Sequence, residues 1–550
     1  MQLSPSAHHD TFTRDHLPPA GQWPTLEFTL PELQYPDRLN AAAALLDGSI
    51  AAFGPDRPAL LTPDGGTWTY GELQHRSDQV ARVLVEDLGV VPGNRVMLRS
   101  PNNPWLAACW LGVLKAGAVA VTTMPVLRGD EVAQLVERTR PGVLLCDHRH
   151  LDGLPDGAGN QPVLVPVGSA GPGDLVQRCA AKPGGFEAVA TAADDVALLG
   201  PTSGTTGAPK ITMHFHRDVL AIADTFARHV LAPRPDDVFA GSPPLAFTFG
   251  LGGLLVFPLR FGAAALLTER TTPVELAQLS HDHGATVLFT APTAYRAILK
   301  EDRADLLRSL RVGVSAGEHL SADLWRAVRE RTGLELVNGI GATEMLHVFI
   351  SAAGGDIRPE ATGRPVPGYR ATVLDEQGRE LGPGRMGRLA VIGPTGCRYL
   401  DDDRQRGYVV DGWNVTGDAF VRDEDGWFHY QARTDGMIVS SGYNIGGPEV
   451  ENALCRHPDV LECAVVGRPD PERGSVVCAF VVLRQGADGD DAKRREIQDF
   501  VKSTIAPYKY PRDLRFVPEL PRNPSGKLQH FRLRRQVEQE LRQPAGTAAP

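Results

Sequence analysis

"YGELQHRSDQVARVLVEDLGVVPGNRVMLRSPNNPWLAACWLGVLKAGAVAVTT", Tyr70 to Thr123, decides the fold. Its first twenty residues space their apolar side chains at a helical period, "RVMLRS" (95–100) is a short apolar run of strand length, "PWLAACWLGVLKAG" (104–117) is helical behind an opening proline, and "AVAVTT" (118–123) is again a strand. Two strands joined by a helix of a dozen residues make a parallel unit, because an antiparallel pair needs only a tight turn. The theme continues outward: "GDEVAQLVERT" (129–139) precedes "GVLLCD" (142–147), and "VELAQLSHDHG" (274–284) precedes "ATVLFTA" (285–291). The expectation is an α/β fold of helix-flanked, largely parallel sheets. Residues 153–190, rich in Gly, Pro and Ala, read as a surface connection.

After about Ala361 helical patterns thin out, and "YRATVLDEQGRELGPGRMGRLAVIG" (369–393) reads as hairpins, so a β-rich subdomain is expected over 361–434. From Asp435 the mixture changes to helix "GPEVENALCRHP", strands "ECAVVG" and "VVCAFVVL", and helix "REIQDFVKST". This predicts a large N-terminal domain over 1–434 and a small α+β domain over 435–550. The tail "RQPAGTAAP" has little to bury, and no internal repeat is visible.

At 550 residues, with 42% hydrophobic and 22% charged side chains, the chain has material for several cores. Its net charge of -10 argues against nucleic acid as partner. Seven cysteines without a CxxC pair suit reduced thiols in a cytoplasm, and Cys146, His148 and His150 lack the second cluster that a zinc site needs. The N-terminus shows no apolar run of a secretory signal. "AFTFGLGGLLVFPLRFGAAALLT" (246–268) approaches bilayer length, but Arg260, Pro258 and four glycines favour buried strands and turns over a span.

"TSGTTGAPK", Thr202 to Lys210, concentrates two glycines, four hydroxyl residues and a lysine. Glycines let backbone N–H groups close around an anion, hydroxyls add donors, and lysine adds charge, so a phosphate chain is one natural guest; a plain surface turn is the other reading. The spacing is not that of the GxxxxGK[ST] loop, since Gly204, Gly207 and Lys210 stand three apart and Ile211 follows.

The loop resembles the phosphate-loop signature of the adenylate-forming superfamily of acyl- and aryl-CoA ligases, peptide-synthetase adenylation domains and luciferases. Four more stretches are similar to that superfamily's motifs in the same order: "NGIGATEM" (338–345), "VTGDAF" (415–420), "ARTDGMIVSSGYNIGGPEVE" (432–451) and "NPSGKLQ" (523–529). Within it, the opening "HHDTFTRDHLPPAGQWPTLEFTLPELQYPDRLNAAAALLD" (8–47), "SSGYNIGGPEVE" (440–451) and "GATEML" before His347 resemble benzoate-type and especially 2-aminobenzoate (anthranilate) CoA ligases.

The resemblance implies an ATP-dependent ligase that makes an aryl-AMP and passes the aryl group to CoA. Its substrates would be ATP with Mg²⁺, CoA, and 2-aminobenzoate or a relative such as 3-hydroxyanthranilate, salicylate or benzoate. A stand-alone enzyme that loads a carrier protein or an amine is the alternative. A monomer or homodimer in the cytoplasm, without membrane or nucleic-acid partners, is expected.

Thr202, Ser203, Gly204, Thr205, Thr206, Gly207 and Lys210 would cradle the β- and γ-phosphates. Thr343 would face the α-phosphate, and Glu344 would hold Mg²⁺ unless it is an ordinary surface glutamate. Asp418 and Arg433 would take the ribose hydroxyls, or form a plain ion pair. Gly317, Glu318, Gly339, Ile340 and Gly341 would meet the nucleotide. Lys527 would bridge the carboxylate and the α-phosphate, with the hinge at Asp435 withdrawing it afterwards and bringing Gly442 beside CoA. Phe247, Ala291, Ser315, Ala316 and His347 would line the acid pocket together with Gly339 and Ile340. Core packing is the other reading for Phe247, and a satisfied core histidine for His347.

Two positions depart from the superfamily's pattern. Ile340 stands where an aromatic adenine platform is usual, and Val439 where many relatives carry a hinge lysine. A rival reading comes from "GVSAG" (313–317), which fits the GxSxG pattern of a hydrolase at Ser315. Such a turn should run straight into a helix, yet "AGEHL" intervenes before "SADLWRAVRERTG", whose Ser321 is the expected N-cap.

Overall fold

The computed structural model describes residues 3–127, 129–152, 154, 161–171, 173–202, 209–433, 436–440, 443–470, 473–505, 507–522 and 528–542. Two compact units emerge, one of residues 1–371 with 390–415 and one of 372–389 with 416–550.

The opening stretch folds as read. Thr69 caps the helix Tyr70–Arg82 reciprocally: its hydroxyl accepts the Glu72 N–H while the Glu72 carboxylate accepts the Thr69 N–H at 2.8 Å. Asn103 caps Pro104–Lys115 by accepting the Leu106 N–H at 3.0 Å, and Pro104 occupies the first helical position, where its missing N–H costs nothing. Pro104–Lys115 packs on a six-stranded sheet ordered Val163–Val167, Val143–Asp147, Arg95–Arg99, Val119–Thr123, Val196–Thr202, Lys210–Phe215, parallel except for the last pair, and Tyr70–Arg82 packs on Pro104–Lys115 and beside the strands Pro58–Leu61 and Thr67–Thr69.

A second sheet has nine strands. Its parallel centre runs Leu336–Gly341, Val312–Ser315, Val287–Thr290, Val238–Gly241, Ala264–Leu266, Pro58–Leu61, with antiparallel strands at both edges. Residues 370–433 add a five-stranded sheet with only the short helix Gln405–Tyr408, which is the β-rich part expected there.

Two expectations need correction. Val163–Val167 is not a surface connection but the edge strand of the six-stranded sheet, and Leu175–Ala180 is a helix. An edge strand tolerates Pro166 because it needs no hydrogen bond on its outer side, so the proline hid the strand. Residues Thr248–Arg260 form a continuous helical run rather than strands and turns, followed by the strand Ala264–Leu266. Gly250–Leu259 is buried all round, so no amphipathic period could reveal the helix. The turn Gly252–Val256 is widened around Leu254, the residue whose carbonyl the Pro258 ring would otherwise strike. Among the described residues no helix is long and apolar enough to cross a membrane.

In the second unit, Val460–Asp470 and Gly474–Leu483 pair antiparallel, with Ile438–Ser440 beside the latter and Asp513–Phe516 parallel to it. Alternation divides these strands between two cores. Cys463, Val465, Val477, Ala479 and Val481 pack with Val450, Leu454, Ile497 and Val501 of the helices Gly447–Cys455 and Asp491–Thr504. Ala464, Val466, Cys478, Phe480 and Val482 pack on the other face with Leu520, Leu533 and Val537. Both faces are covered, which is why the strands read as unbroken apolar runs.

Candidate active site

In a sheet of parallel strands the carboxyl ends open toward ligands. The strands Val287–Thr290, Val312–Ser315 and Leu336–Gly341 end side by side, with Ser315 opposite both Thr290 and Asn338. Ala291, Ser315, Ala316, Gly317, Gly339, Ile340 and Gly341 are therefore gathered on one edge. Ser315 is fully buried, and its hydroxyl finds no hydrogen-bond partner among the described residues. Gly317 turns the chain with φ +85°, and the helix Ala322–Thr332 begins only at Ser321, whose hydroxyl accepts the Leu324 N–H. The hydrolase geometry is absent here: a buried serine followed by a loop is not an exposed nucleophile at a strand-to-helix turn. Glu318 accepts the Thr293 N–H at 3.3 Å and so caps the helix Pro292–Lys300. Phe247, half-buried, immediately precedes the helical run that starts at Thr248.

Beyond Gly341 the chain makes the short turn Thr343–Met345, closed by Leu346 at φ +68°. A leucine in that region stores backbone strain, a mark of sites where direction matters more than local stability. Glu344, nearly buried, accepts a 2.5 Å hydrogen bond from the Tyr399 hydroxyl, and that oxygen accepts one from Lys210 Nζ at 3.2 Å. Burial and the Glu344 carboxylate raise the Tyr399 phenol far above its ordinary range, so it stays protonated and donates. A cation, a phenol and a carboxylate thus stand in line.

Backbone pairing creates this line. The strand Lys210–Phe215 lies against residues 398–400: Met213 N–H donates to Arg398 O at 2.7 Å and Leu400 N–H to Ile211 O at 2.8 Å. On its other side Thr202 pairs with Lys210, and Gly200 lies so close that a Cβ there would stand 2.8 Å from Thr212 Oγ1 and 3.2 Å from Thr343. Beneath sits the fully buried pair Arg398–Asp218, with the guanidinium over the Phe215 ring. Burial pushes the Asp218 carboxyl up and the Arg398 guanidinium down, and each partly offsets the other's shift. His214 adjoins them, held neutral with a pKa of about 3 by burial and by Arg398.

His347 closes the motif inside an aromatic cage. Its ring lies 4.6 Å from Phe257, 5.4 Å from Phe226, 5.7 Å from Phe249 and 6.4 Å from Phe289 between centroids. Burial lowers its pKa to about 3, the Phe249 backbone opposing weakly, and neither ring nitrogen makes a well-formed hydrogen bond. A Cβ on Gly252 would stand 2.3 Å from that ring.

In the second unit Asp418 and Arg433 face each other on the antiparallel strands Trp413–Arg422 and Phe428–Arg433, 3.4 Å apart. Gly417 allows it, with φ +76° and the guanidinium at its open side. Ser203, Gly204, Thr205, Thr206, Gly207, Asp435, Gly442 and Lys527 lie outside the described residues. Sequence reasoning missed Tyr399, Arg398, Asp218, His214, Gly200 and the phenylalanine cage. The one local signal was "CRYL", an arginine and a tyrosine inside an otherwise buried run.

This fold and these motif positions define an AMP-forming acid–thiol ligase. The chain belongs to the AMP-binding enzyme family: that family's model matches residues 49–398, and the AMP-binding enzyme C-terminal domain matches 449–527. It is 35% identical over 516 residues to the benzoate–CoA ligase of Thauera aromatica, covering 92% of this chain and 98% of that one. The 3-hydroxybenzoate–CoA ligase of Aromatoleum sp. is 31% identical, covering 90% and 96%. Among solved structures, an anthranilate CoA ligase in complex with anthranoyl-AMP superposes with a TM-score of 0.87 at 32% identity, covering 94% of this chain and 100% of that one. A benzoate CoA ligase from Burkholderia xenovorans LB400 gives 0.80 at 31%, covering 90% and 99%.

Proposed function

We propose that the chain is an aryl-CoA ligase that activates 2-aminobenzoate or a ring-substituted relative as its AMP ester and transfers the aryl group to CoA. The observation that carries the acid class is the cage of four phenylalanines around a neutral, buried His347 directly after the Thr343–Glu344 turn. Phe226, Phe257 and Phe289 are fully buried and hold the imidazole in place, while Phe249, partly exposed, is the ring of the four that can face a flat aromatic acid. The benzoate and anthranilate specificities of the relatives support the same reading.

In the first half-reaction a carboxylate oxygen attacks the α-phosphorus of ATP and pyrophosphate leaves. Negative charge grows on the phosphoryl oxygens, so fixed cations and donors accelerate the step. Lys210 would meet the outer phosphates with Thr202 and the loop residues 203–207, Thr343 the α-phosphate, and Asp418 with Arg433 the ribose. Lys527 would draw the carboxylate and the α-phosphate together. Glu344 is a fitting site for Mg²⁺: a hard carboxylate with one oxygen already oriented by Tyr399. Bound there, the ion would neutralise phosphate charge. By contrast His457, Asp459 and Glu496, a cluster of ligand-type side chains, are served by Lys493, whose Nζ lies 2.6 Å and 2.7 Å from the two carboxylates. In the second half-reaction the CoA thiol attacks the acyl carbon and AMP leaves. Rotation of the domain 435–550 about Asp435 would remove Lys527 and bring Gly442 to the thiol.

Pyrophosphate release from ATP and Mg²⁺ with anthranilate, 3-hydroxyanthranilate, salicylate, benzoate and acetate, each with and without CoA, tests this. Preference for an ortho-substituted benzoate and consumption of CoA is the expected result. Release without CoA consumption would move the acceptor to a carrier protein or an amine, and silence with every aryl acid would overturn the acid class.

A further inference from the structure

The described residues on either side of 523–527 are tied to each other. Arg522 and Leu528 form an antiparallel bridge, and Gln529 N–H donates to Pro521 O at 2.8 Å. Leu528 packs on the core that holds Leu520 and Leu533, and Arg522 pairs with Glu462. The next residue but one, His530, begins the helix His530–Arg542 and presents Nε2 to Glu451 Oε1 at 2.8 Å. That same oxygen accepts the Val465 N–H at 2.8 Å. Glu451 ends the motif "GYNIGGPEVE", and nothing in the proposed chemistry employs it.

One carboxylate oxygen therefore joins three elements: the helix Gly447–Cys455 that carries Glu451, the strand Val460–Asp470, and the start of His530–Arg542. Glu451 is 19% exposed and His530 36%, so the contact is partly shielded from water, and a charge-assisted bond keeps more of its strength there than at a fully exposed surface. His530 stands three positions after Lys527 in the chain.

We infer that Glu451 and His530 are positioning residues that fix the stem from which Lys527 acts, serving adenylation and not thioester formation. The inference rests on the role proposed for Lys527. Glu451→Ala and His530→Ala are expected to slow pyrophosphate release with 2-aminobenzoate or benzoate by roughly 10- to 100-fold, the scale of a catalytic group displaced by about an ångström. The same variants should form thioester from supplied aryl-AMP and CoA at the wild-type rate; His530→Ala should melt near the wild-type temperature, and Glu451→Ala, which leaves the Val465 N–H without its acceptor, somewhat below it. Glu451→Gln, which still accepts the Val465 N–H but loses its charge, should fall between, and His530→Arg should recover much of the loss. Equal slowing of both half-reactions, or of neither, would overturn the inference while a selective loss in Lys527→Ala left the lysine's own role standing. If Lys527→Ala itself released pyrophosphate undiminished, that role would fail and the inference with it.

Discussion

Two arginine–aspartate pairs differ chiefly in depth. Arg398 and Asp218 are both fully buried, whereas Arg433 is 53% exposed beside an Asp418 at 13%. Inside, neither charge has water to fall back on, so the pair holds the strand Lys210–Phe215 and residues 398–400 in one arrangement. At the rim, water screens the attraction and a ligand hydroxyl can replace either partner at little expense. One pair is suited to support and the other to handling a ligand, although the chemistry is the same.

Removing one partner should separate them most clearly. Arg398→Met leaves Asp218 buried and uncompensated and should lower the unfolding free energy by about 3–5 kcal/mol in a urea titration, with Asp218→Leu added in the same chain restoring much of it. Stability lost by less than 1 kcal/mol would remove the distinction. Acid offers a second probe. His214, His216 and His347, all in the first unit, have pKa values lowered by burial to about 3. Unfolded, they bind protons from pH 6.5 downward while the folded protein does not, so stability present above pH 6.5 is lost as pH falls toward 3. Between pH 6.5 and 5.5 the three together should cost roughly 3 kcal/mol, read from urea midpoints at each pH, and a flat profile would show these rings to be solvated. Tyr399→Phe removes hydrogen bonds to charged groups on both sides and should lower the unfolding free energy by about 1.5–3 kcal/mol in a urea titration, with slowed pyrophosphate release if Glu344 and Lys210 meet the nucleotide. The smallest effect on stability is expected for Arg433→Ala, within about 1 kcal/mol, accompanied by a raised KM for ATP if the pair meets ribose.

Local chemistry explains what could be read in advance. Ser321 announces its helix because a cap acts within three residues, and the strands of the second unit announce themselves as apolar runs. The helix at 248–260 did not, since burial on every side erases the period, and neither did Val163–Val167, where Pro166 and neighbouring glycines imitate a loop. In the site, Lys210, Thr343 and Glu344 stand within motifs, but Tyr399 reaches Lys210 across 189 residues of chain. Such a partner follows from strand pairing, which no short window of sequence contains.

Gly252 and His347 carry a consequence for descent. The imidazole occupies the space that any side chain at 252 would need, so neither position can vary alone toward greater bulk. A lineage that enlarges residue 252 must first give up the ring at 347, and one that keeps the ring must keep the glycine. Changes of acid preference that pass through this corner should therefore appear in related sequences as paired exchanges, with the small residue and the histidine gained or lost together.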